Sequence, residues 1–127
     1  MRVNMSLEQH DLLTNTKTTL AKGKGILKGN ELTYFEECDG KNVKHEVIFE
    51  EDACMFKRFG DVKSMVELKK NGTGVASVDS VYGVMQLKAS VQEFEKEEGY
   101  WLVTYSILDG KKVVLKQRLE WKIVPLS

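Results

Sequence analysis

The chain has 127 residues, of which 42% are hydrophobic and 30% are charged, as expected for one ordered globular domain over residues 1–127. Lysine plus arginine and aspartate plus glutamate number 19 each, so the formal net charge is zero. A protein that binds nucleic acid without sequence preference usually has a basic excess, and a membrane-spanning helix needs a long apolar run that this sequence lacks. We therefore expect neither nucleic acid nor a membrane as a partner.

The N-terminal segment and the cysteines predict a cytoplasmic location. The first 13 residues, MRVNMSLEQHDLL, contain no unbroken apolar segment of the kind a signal peptide needs. Cys38 and Cys54 form no CxxC pair, and a predicted strand roughly 30 Å long separates them, so we expect no disulfide. The sequence contains no zinc-ligand spacing, phosphate loop or dinucleotide fingerprint, so no metal or cofactor is expected.

Short alternating runs dominate the chain and predict an all-β fold. Glycine and aspartate mark the turns, since the only proline is Pro125. We expect a single antiparallel, mostly up-and-down barrel of eight to nine strands. The period-two runs predict strands at 2–9, 16–27, 31–37, 42–50, 54–59, 62–69, 84–95, 100–108 and 112–124.

The first informative hairpin surrounds Asp39-Gly40, a sequence typical of a two-residue turn. Such a turn pairs Tyr34 with His45 and places Glu36 on the same inward face. A carboxylate beside a histidine can orient the ring and raise its pKa for general-base catalysis. The alternative is a hydrogen-bonded polar patch at one end of the barrel.

The next hairpin contains RFGDV at 58–62, and its sequence leaves the face of Arg58 open. A two-residue Gly60-Asp61 turn directs Arg58 away from Val62, whereas a three-residue loop places it on the face of Val62 and Ser64. An inward arginine could hold an anionic ligand group through its bidentate fork. The alternative is a solvated or paired arginine.

The stretch VDSVYGVMQLKASV at 78–91 introduces a strand with one apolar face. Gly83 at its start fits a bend or a close backbone approach. Tyr82 is either a rim aromatic with a solvated hydroxyl or a tyrosine at the barrel mouth that contacts a ligand.

The final hairpin has the clearest pattern. We predict a three-residue loop from Leu108 to Gly110, because it places the apolar faces of both strands together and Val113 with them. Gln117 is then the only polar residue on the apolar face of the last strand. It either orients a ligand or bonds a buried partner or water.

Four stretches of the chain together form a recognisable pattern: TYFEE (33–37), FKRFGDVKSMVEL (56–68), VDSVYGVMQLKASV (78–91) and YWLVTYSI (100–107) followed by Asp-Gly. The best pieces are Arg58 and Gly60 ahead of the Ser64-Met65 pair, and the Tyr82-Gly83 entrance. The pattern resembles the YwiB-like family of short bacterial proteins of uncharacterised function, in which threonine-proline usually stands where this chain has Ser80-Val81. The resemblance implies a calycin-type, lipocalin-like β-barrel and transfers no reaction.

Three functions are compatible with these residues. The first is binding of a small, partly apolar and carboxylated molecule inside the barrel, since eight-strand barrels are just wide enough for one. The second is a cofactor-free acid–base enzyme in the same cavity, by analogy with a phenolic acid decarboxylase of calycin type. The third is an interaction domain whose barrel is filled by its own side chains. The sequence leaves open whether the chain is a monomer or a homodimer.

The ligand-binding hypothesis assigns named residues to a pocket. Polar groups that interrupt apolar faces are the candidate contacts, and the inward sets of three long strands are the candidate wall. The candidate contacts are Arg58, Tyr82, Tyr34, Glu36, His45 and Gln117, with Met65. The candidate wall is Met85, Leu87, Val103, Tyr105, Leu115 and Leu119.

Overall fold

A computed structural model describes residues 1–126, and these form ten antiparallel strands closed into a barrel. Each strand pairs with the next along the chain, and β1 pairs with β10 to close the sheet. The all-β, up-and-down barrel predicted from the sequence is confirmed, with ten strands instead of eight to nine. The strands are β1 (Arg2–Asp11), β2 (Thr16–Lys28), β3 (Glu31–Cys38), β4 (Lys41–Phe49), β5 (Ala53–Phe59), β6 (Lys63–Lys69), β7 (Thr73–Ser80), β8 (Gly83–Glu97), β9 (Tyr100–Asp109) and β10 (Lys112–Pro125). Residues 1–126 include no helix long and apolar enough to cross a bilayer.

The additional strand is β7, which the sequence pattern did not predict. Its sequence, TGVASVDS, is rich in small and polar residues that disfavour strands. Pairing with β6 on one side and β8 on the other overrides that propensity. At Gly74 the backbones of β7 and β6 approach closely, because a Cβ there would lie 2.6 Å from the carbonyl oxygen of Glu67.

The turns decide which side chains face inward. Asp39 and Gly40 both have positive φ in the predicted two-residue turn between β3 and β4. Between β5 and β6, residues 60–62 form the three-residue alternative, which places Arg58 opposite Ser64.

The turn between β9 and β10 differs from the prediction. Asp109 pairs with Lys112 across a two-residue turn, and the register shifts between Val113 and Leu115. The bulge therefore lies inside β10, and Val113 is on the outer face, 41% exposed, rather than inward as predicted. Beyond the bulge, Trp121 lies opposite Trp101, and both are on the inward face that the alternation predicted.

The two ends of the barrel differ. We call the end with the turns at 12–15, 39–40, 60–62, 81–82 and 110–111 the cavity end, and the opposite end the packed end. At the packed end, Phe49 is fully buried and stacks on both Phe94 and Trp101, with ring centroids 4.9 and 5.3 Å away. Lys96 extends across this end and donates to Asn30 Oδ1 at 2.8 Å.

Candidate functional site

A cavity of about 340 Å³ opens at the cavity end and extends between the inward faces of the strands. Its wall is largely apolar and aromatic, and most of its polar groups lie on β3 to β6. The aromatic members are Tyr34, Phe56, Tyr105 and Trp121. The principal aliphatic members are Leu7, Val47, Val66 and Leu119. The polar and charged members include Glu36, His45, Arg58, Ser64 and Gln117.

Strand register brings one polar row together. Tyr34 on β3 lies opposite His45 on β4, which lies opposite Arg58 on β5. Arg58 in turn lies opposite Ser64 on β6. Because inward side chains recur at every second residue, this row crosses four neighbouring strands at one level of the barrel.

Glu36 is the centre of the polar cluster. Its Oε1 atom lies 3.4 Å from His45 Nε2 and 3.8 Å from Arg58 Nη2. The Cys38 thiol donates to the same oxygen across 3.5 Å. The Glu36 and Arg58 side chains are 35% and 39% exposed, so this loose ion pair keeps contact with water at the mouth.

His45 is more buried than Glu36 and Arg58. Its ring stacks on that of Tyr34 with centroids 4.7 Å apart and planes almost parallel. Burial lowers the pKa of His45, and the nearby Arg58 acts in the same direction, while the Glu36 carboxylate opposes both. The imidazole is therefore neutral at neutral pH and is able to accept a proton.

Gly60 provides the space for the Arg58 guanidinium. A Cβ at Gly60 would lie 2.9 Å from Arg58 Nη1, so a larger residue would displace the end of that side chain. Arg58 also borders a surface groove of about 460 Å³ between the turns at 39–40 and 60–62. The guanidinium thus lies between the barrel cavity and solvent.

Gln117 already has protein partners on both sides. Its side-chain carbonyl accepts a hydrogen bond from Gln9, and its amide donates to the Tyr105 hydroxyl at 2.6 Å. Burial raises the pKa of Tyr105 to about 12, so this hydroxyl stays protonated. Of the two roles that the sequence left open for Gln117, bonding a buried partner is the one the geometry provides.

Trp121 is a cavity residue that the sequence patterns did not single out as a candidate contact. The residue is 1% exposed, and within residues 1–126 its indole N–H has no hydrogen-bond partner. The N–H lies near the Tyr34 hydroxyl without meeting hydrogen-bond geometry. Burial and the Glu36 carboxylate raise the pKa of that hydroxyl, and the nearby indole N–H opposes them. The sequence signal for this residue was a tryptophan on the inward face of a barrel strand. A buried indole N–H usually has a hydrogen-bond partner, so an inward tryptophan is a candidate polar contact.

Two candidate contacts lie outside the cavity lining. Tyr82 is 96% exposed in the turn between β7 and β8, and its backbone N–H bonds the Ser80 hydroxyl. Met65 is on the outer face of β6, because it pairs with Lys57 and Ser77 rather than with inward residues.

The predicted wall is present only in part. Tyr105 and Leu119 line the cavity. Met85 and Leu87 have the inward parity of β8, but β9 pairs with β8 only from Lys88 onward. Met85 is consequently 56% exposed beyond the edge of β9. Val103 and Leu115 belong to the surrounding core.

Other chemistry-bearing groups lie apart from the cavity. At the packed end, a depression of about 460 Å³ has Trp101 and Ile123 among its lining residues and is bordered by Lys96. Both cysteines are free, and burial raises the pKa of Cys54 to about 12, which makes it a poor nucleophile. Residues 1–126 contain no group of three or more histidine, cysteine or acidic side chains placed to hold a metal ion.

Comparison with solved structures identifies a similar fold. The crystal structure of the ywiB protein from Bacillus subtilis matches with a TM-score of 0.57 and 18% sequence identity, over 95% of this chain and 89% of that one. No protein-family model matches the sequence, and no curated protein matches it. The sequence resemblance to the YwiB-like family is thus confirmed at the level of the fold, a closed antiparallel β-barrel.

Proposed function

We propose that this protein binds a small, partly apolar carboxylated molecule in the cavity of the barrel. The observation that carries the proposal is the cavity itself, which is large enough for a benzoate-sized ligand and combines an aromatic wall with Arg58 at its mouth. Apolar concave sites with few polar groups are the usual form of small-molecule sites.

Arg58 supports the choice of a carboxylate. Among residues 1–126, Glu36 is the only acidic side chain within salt-bridge distance of Arg58. That contact is long, with 3.8 Å between Glu36 Oε1 and Arg58 Nη2. A ligand carboxylate at the mouth could form the shorter bidentate pair that an arginine fork favours. The apolar body of the ligand would then displace water from the surfaces of Phe56, Val66 and Leu119.

Calorimetric titration with 4-isopropylbenzoate tests this proposal. We expect saturable binding at one site, weakened about tenfold in Arg58→Gln through loss of the charge-assisted bond. Arg118→Gln is the matched control, since Arg118 pairs with Glu93 away from the cavity. Absence of saturable binding, or an equal loss in both variants, would contradict the proposal.

Gly60→Ala gives a second test of the same contact. The added methyl group must displace the guanidinium of Arg58 while leaving its charge in place. We expect weaker binding of 4-isopropylbenzoate, with the folded barrel retained because only the end of a flexible side chain has to move. Unchanged affinity would show that the position of this guanidinium is irrelevant to binding.

A second candidate function is supported by His45. A neutral imidazole within 3.4 Å of a carboxylate can act as a general base, so a cofactor-free lyase of the decarboxylase type is the enzymatic alternative. Incubation with 4-hydroxycinnamate, followed by its ultraviolet absorbance, tests this alternative. If the protein is such a lyase, we expect turnover that His45→Gln abolishes. Absence of turnover at high enzyme concentration would contradict the lyase function for this acid.

The filled-barrel interaction domain receives the least support. That hypothesis requires the interior to be occupied by the protein's own side chains. The packed end meets this requirement, but the cavity end does not.

A further inference from the structure

One buried hydrogen-bond donor of the cavity has no partner among the described residues, and a second hydroxyl group lies close to it. The indole N–H of Trp121 is buried and has no partner within residues 1–126. The Tyr34 hydroxyl lies near it, in a residue that is 5% exposed. A buried donor without an acceptor is costly, so the site favours any occupant that supplies one.

Both groups are donors throughout the physiological pH range. An indole N–H cannot accept a hydrogen bond. Burial and the neighbouring Glu36 carboxylate raise the pKa of the Tyr34 hydroxyl to about 12, so it keeps its proton. Both donors are uncharged groups, whereas the donor at the mouth is the positively charged Arg58. The matching group on a ligand is a neutral oxygen acceptor.

Strand geometry gives the approximate spacing between the two positions. Phe56 is the next inward residue after Arg58 on β5, which corresponds to about 7 Å along a strand. The Phe56 ring in turn lies 5.7 Å from the Trp121 ring, centroid to centroid. A benzene ring with substituents at opposite carbons spans a similar distance, so one ligand could reach both positions.

We propose that the cavity selects aromatic carboxylates with a carbonyl group opposite the acid, whose oxygen accepts hydrogen bonds from Trp121 Nε1 and the Tyr34 hydroxyl. This inference rests on the proposed function and specifies its ligand class. Discrimination follows because a site built to hydrogen-bond one atom strongly disfavours an analogue that lacks it. The rings of Phe56 and Tyr105, with centroids 5.7 Å apart, provide contact surface for the aromatic body.

The test compares 4-acetylbenzoate with 4-isopropylbenzoate in calorimetric titrations. The two acids have the same number of non-hydrogen atoms connected in the same order, and a methyl group of the second replaces the carbonyl oxygen of the first. We expect 4-acetylbenzoate to bind the unmodified protein at least about fivefold more tightly, as one or two added hydrogen bonds would give. Without the donor pair, the more apolar isopropyl compound should bind equally well or better.

Two variants locate the preference. Trp121→Phe and Tyr34→Phe each remove one donor and keep an aromatic ring, so each should reduce the preference for the acetyl compound. Trp101→Phe is the matched control, since Trp101 lies at the packed end and should leave the preference unchanged. If thermal melts show that Trp121→Phe does not fold, Tyr34→Phe decides the question.

The outcomes separate the two proposals. Equal affinities for both acids in the unmodified protein would overturn the carbonyl subsite and leave the binding function standing. A preference that persists in Tyr34→Phe and Trp121→Phe would also overturn it. If neither acid binds, the proposed function fails, and the subsite fails with it.

Discussion

The two ends of the barrel interior use the same ten strands but differ in the side chains that face inward. At the packed end, large aromatic rings meet in the centre, with Phe49 in contact with Phe94, Trp101 and Trp121. At the cavity end, the inward row consists of Tyr34, His45, Arg58 and Ser64, whose polar groups lie along one wall. The backbone sets the diameter in both places, so side-chain size and polarity decide which part of the interior is filled.

The difference also separates stability from binding. Aromatic rings that contact one another across the barrel remove apolar surface from water and stabilise the fold. Polar groups around a cavity contribute less to that burial, and they remain available to a ligand. We therefore expect stability to depend mainly on the packed end and ligand affinity mainly on the cavity end.

The largest expected effect is the loss of an aromatic ring at the packed end. Phe49→Ala should lower the free energy of unfolding by about 3–5 kcal/mol, because it removes a fully buried ring that contacts three others. Denaturant melts measure the change. Phe35→Ala is the control, since Phe35 is 61% exposed, and its change should stay within about 0.5 kcal/mol. Similar losses in both variants would contradict the packed-end assignment.

A matched increase in volume should separate the filled part of the interior from the empty part. Ala89→Leu adds atoms where Ala89 is 6% exposed and faces Gly74, so it should cost about 1–3 kcal/mol of unfolding free energy. Ala21 lines the cavity, where space exists, so Ala21→Leu should change stability by less than about 1 kcal/mol. Ala21→Leu should instead weaken binding of 4-isopropylbenzoate. Reversal of the two costs would show that the empty and filled regions are wrongly assigned.

Low pH should destabilise the cavity end through His45. Its pKa in the folded protein lies below the ordinary value of 6.5, so the unfolded chain binds this proton more tightly. The contribution of neutral His45 to the free energy of unfolding is fully present above pH 6.5. It declines as the pH falls through 6.5 towards the pKa of the folded protein. Denaturant melts at pH 8 and pH 5 should show a smaller decline in His45→Gln than in the unmodified protein. An equal decline in both would exclude His45 as its source.

The smallest expected effect concerns the charge at the packed end. Lys96→Met should change the free energy of unfolding by less than about 1 kcal/mol, because the apolar stem is retained and the ion pair with exposed Glu51 is weak. Its bond to Asn30 is the part that is lost. A loss above about 2 kcal/mol in denaturant melts would mean that the Lys96 ammonium group and its contacts stabilise this end substantially.

Much of the fold could be predicted from local patterns. Alternation along β10 identified the inward face with Leu119 and Trp121, and the Asp39-Gly40 turn correctly paired Tyr34 with His45. These features depend on the two-residue period of strands and on the φ preferences of turn residues, which are properties of short segments. The strand β7 was missed because its propensity is weak and its pairing partners stabilise it.

The candidate site required information that no local pattern contains. Sequence alone determined that Tyr34, Glu36 and His45 share a face and that Gln117 interrupts an apolar one. Only the tertiary structure decided that Arg58 lies beside Glu36 at the cavity mouth, that Tyr82 lies in solvent, and that the Trp121 indole N–H has no partner among residues 1–126. The physical reason is that turn length sets parity over a few residues, whereas cavities and unpaired donors depend on side chains from strands distant in the sequence.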